Sequence, residues 1–252
     1  MSVNERTPGV VTSEEQPLVR PRRPARRSGF LGFLRDLVII VVVAVVISFV
    51  VKTFLVRSFY IPSGSMENTL QIDDRILVNQ LVPEVVGLER GDVVVFKDPG
   101  GWLEGSGVPP TASSWLTNLI GLTSPDDDEH LIKRVIGLPG DHVECCNASG
   151  QLSVNGVPIS EPYVLLPAGK ESVSEREFDV TVPEGSLWVL GDNRYNSADS
   201  RYNQDKPGQG FVPVENVVGR AFVISWPVSR WSVLGNYPEV FRGVPDTADA
   251  GE

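Results

Sequence analysis

Three short segments of the 252-residue sequence combine residue types that could carry out hydrolysis. Residues 61–70 place two serines around a glycine, residues 131–141 set Lys133 in a strand-like run that ends in a tight turn, and residues 191–201 are dense in side chains that bond to backbone. A serine hydroxyl becomes a useful nucleophile when a base removes its proton, and a neutral amine can be that base. Taken singly, the segments are typical of an ordinary turn, a solvated edge charge and an elaborate turn.

Other hydrolytic chemistries find less support in the sequence. A Ser-His-Asp hydrolase needs a histidine base, but the two histidines, His130 and His142, lie in no recognisable motif. We expect both to be structural or surface residues. The histidines and cysteines do not form the spaced pairs that zinc requires, so no metal site is predicted.

The two cysteines, Cys145 and Cys146, are adjacent. Neighbouring Cα atoms lie about 3.8 Å apart, below the roughly 4.4–6.8 Å of ordinary disulfides. A vicinal disulfide therefore needs a distorted peptide, and the sequence leaves it open against two free thiols. A transpeptidase with a cysteine nucleophile would leave the serine and lysine segments unexplained.

A long apolar segment precedes the polar ones. The run from Leu37 to Val51 carries no charge, and its extension to Val56 adds only Lys52. Twenty residues at about 1.5 Å each span the roughly 30 Å core of a bilayer. The segment is too long for a buried strand, and it lacks the small-residue pattern that follows the apolar part of a cleaved secretory signal. We predict an uncleaved transmembrane helix over 37–56.

Charge is distributed unevenly along the chain. Residues 1–36 carry seven arginines and four acids, a net charge of +3, whereas the whole chain carries −10, so the remainder carries −13. Basic residues mark the cytoplasmic side of membrane helices. This predicts a disordered, cytoplasmic tail over 1–36 and an extracytoplasmic domain after the anchor. The tail serves as a topology signal or lies against anionic lipid. The acidic total argues against nucleic-acid binding.

Residues 57–244 predict a mainly β domain. Short β-rich runs are separated by turn signals such as Asn155-Gly156, a two-residue hairpin signal. Strands do not alternate with helices, which argues against a parallel doubly wound sheet. The predicted strands are Ser58–Ile61, Arg75–Asn79, Asp92–Phe96, Leu131–Ile136, His142–Cys145, Leu152–Val154, Val157–Ile159, Phe178–Val182, Ser186–Leu190 and Ala221–Trp226.

An insertion over 98–129 interrupts the β pattern. It is rich in Gly, Pro and Ser, but it contains Trp102 and an apolar stretch over 115–122. The stretch is predicted either as a short helix that packs on the domain or as an interfacial segment that enters the outer leaflet. The acidic residues 245–252 are predicted to form an unstructured tail.

In combination, the three polar segments resemble the bacterial type I signal peptidases, also called leader peptidases. The resemblance covers the anchor and then, in order, the serine segment, Gly91–Phe96, the lysine segment and the segment that begins Gly191-Asp192-Asn193-Arg194. The last two are long and specific. The insertion, residues 146–185 and the C-terminal tail contribute little. The chain departs from the family at Asn68, where the family usually has proline in Ser-Met-x-Pro-Thr-Leu.

The resemblance implies a mainly β fold: a single N-terminal transmembrane helix followed by an antiparallel β-rich catalytic domain of the signal-peptidase type. It implies a membrane-anchored serine endopeptidase that cleaves signal peptides from exported preproteins after small residues, in the Ala-x-Ala pattern, with no cofactor. The implied site residues are Ser65 as nucleophile, Lys133 as general base, Ser63 and the Ser65 N–H as oxyanion donors, Ser197 as orienter of the lysine, and Asp192, Asn193, Asp199 and Arg201 as a structural network. The residues implied to line shallow substrate pockets are Phe59, Ile61, Pro62, Met66, Leu70 and Ile132.

A lysine can act as a general base only when its amine is uncharged. Lysine normally titrates near 10.4, so Lys133 has to be buried for its amine to be neutral near pH 7. Burial among apolar neighbours on its strand is the main expected cause. The positive charge of Arg134 is expected to add to it, although alternation along a strand turns that side chain to the opposite face.

The position of Ser65 in the chain limits its substrates. It follows the predicted anchor by about nine residues, so it could reach only peptide bonds near the bilayer surface. The substrate is expected to add as an extended strand beside Ser58–Pro62 and the lysine strand. His130 stands at the rim of this site, where the family commonly has an acid. The alternative is a single-pass β domain that binds ligands without peptidase activity; no oligomeric state is predicted.

Overall fold

The computed structural model describes residues 30–50, 55–103, 130–164 and 166–246. The predicted basic tail as far as residue 29, the apolar stretch over 115–122 and the acidic tail beyond Asp246 lie outside the described residues. The chain separates into two compact units, residues 1–46 and 47–252. The first contains most of the helix, and the second contains the strands.

One apolar helix, α1 (Phe30–Val50), lies near the N-terminus. Its segment Gly32–Phe49 is long and apolar enough to cross a membrane by length and composition, and its side chains are not buried. The helix begins seven residues before the predicted span because it continues through Arg35 and Asp36, which pair with each other at 3.0 Å. Both side chains are compatible with a helical turn, so the charge that ends the apolar run does not end the helix.

The second unit is mainly antiparallel β, as the sequence predicted. In chain order the strands are β1 (Val56–Tyr60), β2 (Arg75–Asn79), β3 (Val93–Lys97), β4 (His130–Gly137), β5 (His142–Cys145), β6 (Leu152–Val154), β7 (Val157–Pro158), β8 (Phe178–Thr181), β9 (Ser186–Leu190), β10 (Val212–Pro213), β11 (Val217–Trp226) and β12 (Ser232–Val233).

The larger sheet has the strand order β1-β2-β11-β3-β4-β9-β10, with β12 paired to β11. Strand β4, which carries Lys133, lies inside this sheet between β3 and β9. Its register sets Lys133 opposite Val94 and Arg134 opposite Val93. The register with β9 begins at Arg134, so Lys133 and the residues before it on β4 pair with β3 alone.

A smaller sheet has the order β7-β6-β5-β8. Its hairpin between β6 and β7 turns through Asn155 and Gly156, both with positive φ (+51° and +77°). This is the mirror-image turn that matches the twist of paired strands, and it confirms the hairpin expected from the sequence. The sheet packs over an apolar cluster that includes Val143, Leu152 and Trp188.

A second apolar cluster lies under the serine segment. It joins residues from β1, the serine segment, β2, β3, β4 and β11: Phe59, Ile61, Met66, Leu70, Ile76, Val78, Val93, Val95, Ile132, Ala221 and Ile224. The insertion contributes to a third cluster, where Trp102 is buried against Phe96 with ring centroids 5.8 Å apart. Trp102 is therefore a core residue and cannot be the part of the insertion that contacts lipid.

Candidate active site

Ser65 occupies a short 3₁₀ turn, Gly64–Met66, which follows β1. Met66 is fully buried in the cluster beneath the turn, and Ser65 itself is only 8% exposed. Gly64 is closely covered: a Cβ placed there would lie 2.8 Å from the Glu67 carboxyl carbon. That carboxyl group is the end of an exposed side chain, so the contact could be relieved by a movement of Glu67.

Lys133 reaches Ser65 from the interior of the larger sheet. Its Nζ lies 2.9 Å from the Ser65 Oγ and donates to the main-chain oxygen of Ile132 at 2.9 Å. The lysine is 4% exposed. The structure thus brings together, across 68 positions of sequence, the two residues that the sequence singled out as a nucleophile and its base.

Burial is the main cause that lowers the pKa of Lys133, to about 8. Removing the ammonium from water disfavours the charged form. The carboxylates of Asp199 and Asp192 act against this change, and the positive charge of Arg201 acts with it. The cation that helps to lower the pKa of Lys133 is therefore Arg201 and not the expected Arg134. Strand alternation turns the Arg134 side chain to the other face of β4, where it pairs with Asp192.

Ser63 lies beside the nucleophile candidate. Its Oγ is 3.4 Å from the Ser65 Oγ, and its backbone is extended at the start of the 3₁₀ turn. The side chain is exposed, so its hydroxyl can turn toward a bound carbonyl. The structure therefore brings the Ser63 and Ser65 hydroxyls close together.

Ser197 is buried and makes no hydrogen bond to any residue that the structure describes. Its Oγ lies against Gly191: a Cβ placed on Gly191 would overlap it and would come within 2.5 Å of the main-chain oxygen of Ser65. Ser197 is thus near the serine turn. The hydrogen bond to the lysine that the resemblance implied is not formed in this structure.

Three of the four residues expected to form one network belong to two separate ion pairs, and the fourth, Asn193, hydrogen-bonds to the serine turn. Asp199 and Arg201 form a fully buried pair with contacts of 2.7 and 2.8 Å, and Asp199 also accepts the Gly191 N–H at 3.0 Å. Asp192 pairs instead with Arg134. Asn193 connects to the serine turn, because its N–H donates to the Ser65 oxygen at 3.1 Å and its side chain donates to the Gly64 oxygen.

The residues expected to line substrate pockets divide by exposure. Met66 and Leu70 have no exposed surface, so they support the site from below and do not line an open pocket. Phe59 and Ile132 retain a small exposed fraction, 5% and 8%. Ile61 is 2% exposed, whereas Pro62 is exposed.

Sequence reasoning missed an aromatic cage around Arg134. Its guanidinium lies 4.0 Å from the centre of the Tyr163 ring and 5.3 Å from that of Tyr237, while Asp192 accepts two hydrogen bonds from it at 2.8 and 2.7 Å. Burial is the main cause that raises the pKa of Tyr163 well above its usual value. Tyr163 lies in residues 146–185, which carry little of the family resemblance, and Tyr237 lies outside the motifs that carry it, so no motif pointed to them.

The histidines lie where a structural role was expected. His142 faces Asp179 on the smaller sheet, and His130 begins β4 with its ring 5.3 Å from that of Phe59. The basic group within hydrogen-bond distance of the Ser65 hydroxyl is the Lys133 amine and not a histidine. Cys145 and Cys146 form a vicinal disulfide, one of the two states that the sequence left open.

A serine hydroxyl within hydrogen-bond distance of a buried amine is the arrangement of hydrolases that use lysine where others use histidine. The sequence matches the family described as signal peptidase, peptidase S26, over residues 34–226. The chain belongs to this family of signal peptidases, and it is an enzyme of the peptidase class.

Relatives of known name agree with this assignment. The signal peptidase I of Mycobacterium tuberculosis is 40% identical over 234 residues, which cover 84% of this chain and 78% of the relative. A probable signal peptidase I of Mycobacterium leprae is 36% identical over 242 residues, with 84% and 82% covered. A probable signal peptidase I-2 of Synechocystis is 38% identical over 193 residues, with 77% and 73% covered. A crystal structure of a signal peptidase I from Enterococcus faecalis, 30% identical, covers 53% of this chain and 95% of its own, with a TM-score of 0.34; the family assignment rests on the sequences.

Proposed function

We propose that this protein is a membrane-anchored serine endopeptidase that removes signal peptides from exported preproteins by a Ser65–Lys133 dyad. The observation that carries the proposal is the 2.9 Å separation of Lys133 Nζ and Ser65 Oγ, with the amine buried. A buried amine is poorly solvated as a cation, so it can act as a base at a pH where an exposed lysine would be charged.

The reaction begins with attack of the Ser65 Oγ on the carbonyl carbon of the scissile peptide bond. Neutral Lys133 takes the hydroxyl proton, and the resulting ammonium gives a proton to the departing amine as the peptide bond breaks. The product is an ester between Ser65 and the signal peptide. In the second half of the reaction Lys133 takes a proton from water, which attacks the ester carbonyl carbon. The bond to Ser65 Oγ then breaks, the lysine ammonium returns its proton to that oxygen, and the free hydroxyl and the neutral amine are restored while the signal peptide leaves as a carboxylate.

Two donors stabilise the negative charge that develops on the carbonyl oxygen. The proposal assigns this role to the Ser63 hydroxyl and the Ser65 N–H, which lie on either side of Gly64 in the serine turn. Preorganised donors of this kind are worth roughly a hundredfold or more in rate each. Ser197 is assigned to orient the lysine, which requires its buried hydroxyl to turn toward Nζ during the reaction.

The substrate lies as an extended strand between β1 and β4 in this proposal. In this proposal small side chains before the cut are selected because Met66 and Leu70 below the site have no exposed surface, and Phe59 and Ile132 expose only 5% and 8% of theirs. The helix α1 anchors the enzyme in the bilayer. The arginine-rich N-terminal segment is cytoplasmic, and residues from 57 onward are extracytoplasmic.

Cleavage of a preprotein with an Ala-x-Ala site tests the proposal. The detergent-solubilised full chain is expected to cut it, while Ser65→Ala and Lys133→Ala each reduce the rate by at least about a thousandfold, because either change removes the dyad. His142→Ala is the matched control and should cut at the wild-type rate. Full cleavage by Lys133→Ala would exclude the dyad, and absence of cleavage by the wild type would favour a ligand-binding domain.

A further inference from the structure

The chain turns sharply just after Ser65. Glu67 has φ −56° and ψ 147°, Asn68 has φ +88°, and the Thr69 N–H donates to the Met66 oxygen at 3.1 Å. These are the features of a type II β-turn, whose third residue must have positive φ and is usually Gly or Asn. Proline, which the family usually has at this position, is locked near −65° and cannot adopt this conformation.

The Asn68 side chain fastens this turn to another part of the domain. Its Nδ2 donates to the main-chain oxygen of Tyr163 at 2.8 Å. Tyr163 is only 2% exposed: its ring packs on the Arg134 guanidinium, and its hydroxyl donates to Glu161 at 2.7 Å. The asparagine therefore bonds to a carbonyl that is itself firmly held.

The contacts close into a ring around the serine turn. Arg134 binds both Tyr163 and Asp192. Asp192 accepts the hydroxyl of Thr69, the residue that ends the turn. The next residue, Asn193, donates its N–H to the Ser65 oxygen. Since Arg134 is adjacent to Lys133 on β4, the same ring connects the turn that carries the serine to the strand that carries the lysine.

We propose that Asn68 is a positioning residue for peptide cleavage: the type II turn that it permits and its bond to Tyr163 hold the Ser65 hydroxyl within reach of Lys133. This inference rests on the proposed Ser65–Lys133 reaction. The family's proline would restrain the backbone covalently, whereas Asn68 restrains it by a hydrogen bond to a distant part of the chain. Proline itself cannot adopt the positive φ of this position.

Three substitutions separate the turn from the side-chain bond. Asn68→Gly keeps the turn and removes the bond, and we expect kcat to fall about fivefold. Asn68→Asp also tolerates positive φ, but it sets a carboxylate oxygen against the Tyr163 carbonyl oxygen, and a loss of about tenfold is expected. Asn68→Pro removes both features, with an expected loss of at least about thirtyfold. KM for the preprotein should stay within about twofold in the first two variants.

The pH dependence of kcat distinguishes positioning from folding. When the serine turn moves away from β4, water reaches the Lys133 amine and its pKa rises toward the ordinary value. The rising limb of the pH–rate profile should therefore shift upward in Asn68→Gly, which adds no charge and leaves the charged groups that act on the amine, Asp199, Asp192 and Arg201, unchanged. A smaller folded fraction would lower kcat by the same factor at every pH.

Asn155 offers a matched control. It too has positive φ, +51°, and its Nδ2 donates to a main-chain oxygen, that of Pro245, at 3.0 Å, but it lies in the hairpin of the smaller sheet. Asn155→Gly should lower the melting temperature and leave both kcat per folded molecule and the pH midpoint unchanged.

The outcomes separate this inference from the proposed function. If the wild type cleaves and Ser65→Ala does not, while Asn68→Gly and Asn68→Asp keep the wild-type kcat and midpoint, the role of Asn68 is refuted and the dyad survives. A rate loss that only matches the loss of folded protein, with an unmoved midpoint, refutes the positioning role as well. If the wild type fails to cleave, both proposals fall.

Discussion

The pKa of Lys133 is lowered by the same burial that brings its amine close to Ser65. The strand that carries it is interior to the larger sheet, and the serine turn covers it from above, so the amine has lost most of its contact with water. Two carboxylates, Asp199 and Asp192, favour the cation, yet the effect of burial exceeds theirs and the pKa falls from 10.5 to about 8. In the proposed mechanism, the reactive form of the enzyme is the one with Lys133 deprotonated.

The rate of cleavage should rise with pH through about 8. Below this value Lys133 is mostly an ammonium and cannot accept the serine proton; above it the amine is free. With a folded pKa of about 8, the neutral fraction is roughly one tenth at pH 7 and nine tenths at pH 9, so kcat should increase about tenfold between them. Steady-state cleavage of the preprotein at saturating concentration measures this.

The same profile from His142→Ala provides the control, because a histidine base would give a rise near pH 6.5 that this variant would lose. A rate that is flat from pH 6 to pH 9, or that falls over this range, contradicts the assignment of Lys133 as the base.

At the scale of residues, the sequence pointed to groups that lie in recognisable motifs. Ser65 and Lys133 were found because their segments resemble a family, and the structure sets them 2.9 Å apart. Tyr163 and Tyr237 could not be found in this way, since a tyrosine in an irregular segment has many possible partners and only the fold decides which one it meets. Asn68 was visible as a departure from the family, but its bond to Tyr163 spans 95 positions of sequence.

At the scale of elements, the segment that follows β9 acts as a wall of the site. It begins at Gly191, whose N–H donates to the Asp199 carboxylate. Ser197 and the Ser65 main-chain oxygen both lie close to the Gly191 backbone. The absence of a side chain at Gly191 makes this approach possible. The backbone of Gly191 does not have a positive φ, so glycine is needed there only because a side chain would not fit.

Gly191→Ala should reduce kcat about 10- to 100-fold. The added Cβ would overlap the Ser197 hydroxyl and lie 2.5 Å from the Ser65 main-chain oxygen, so the serine turn must shift, and small misplacements of reacting groups cost this much. Gly137→Ala is the contrasting core variant: its Cβ would lie 2.7 Å from a Val143 methyl group, which should lower stability without changing kcat per folded molecule.

Gly87→Ala completes the comparison, because a Cβ there meets nothing within 4 Å and should change neither quantity. Kinetics and thermal unfolding of the three variants measure the two effects separately. Equal kcat in Gly191→Ala and Gly87→Ala would show that the wall of the site does not set the position of Ser65.

Strand boundaries followed from local pattern where the strands are short and sharply bounded. Arg75–Asn79, His142–Cys145, Leu152–Val154 and Ser186–Leu190 occur as expected. β11 begins four residues before its predicted start because Val217–Arg220 pairs with β3 through an irregular register at Gly219, which interrupts the sequence pattern. β10 and β12 were missed: each has two residues, one contains proline, and the other is exposed on both faces. The order of the sheet depends on long-range pairing that local pattern does not encode.

At the scale of the whole molecule, the folded core and the apolar helix have separate tasks. The residues of the three apolar clusters all lie between Phe59 and Val244, and none belongs to α1. The helix is too apolar to be left in water, and it contributes nothing to these clusters. This division favours an anchor that concentrates the enzyme and its substrate in one bilayer while the β domain supplies the chemistry.

Removal of residues 1–54 should therefore leave a folded peptidase with a changed substrate preference. The shortened chain still begins with the Leu55 oxygen that accepts the Gln80 N–H and with all of β1. We expect cleavage of a short soluble peptide within about threefold of the full chain, but at least about tenfold slower cleavage of a preprotein embedded in vesicles, because the effective concentration given by a shared bilayer is lost.

Replacement of α1 by an unrelated apolar helix of the same length is the control and should restore vesicle cleavage. A shortened chain that is unfolded would show that the helix belongs to the fold, and undiminished cleavage in vesicles would show that the anchor does not deliver the enzyme to its substrate.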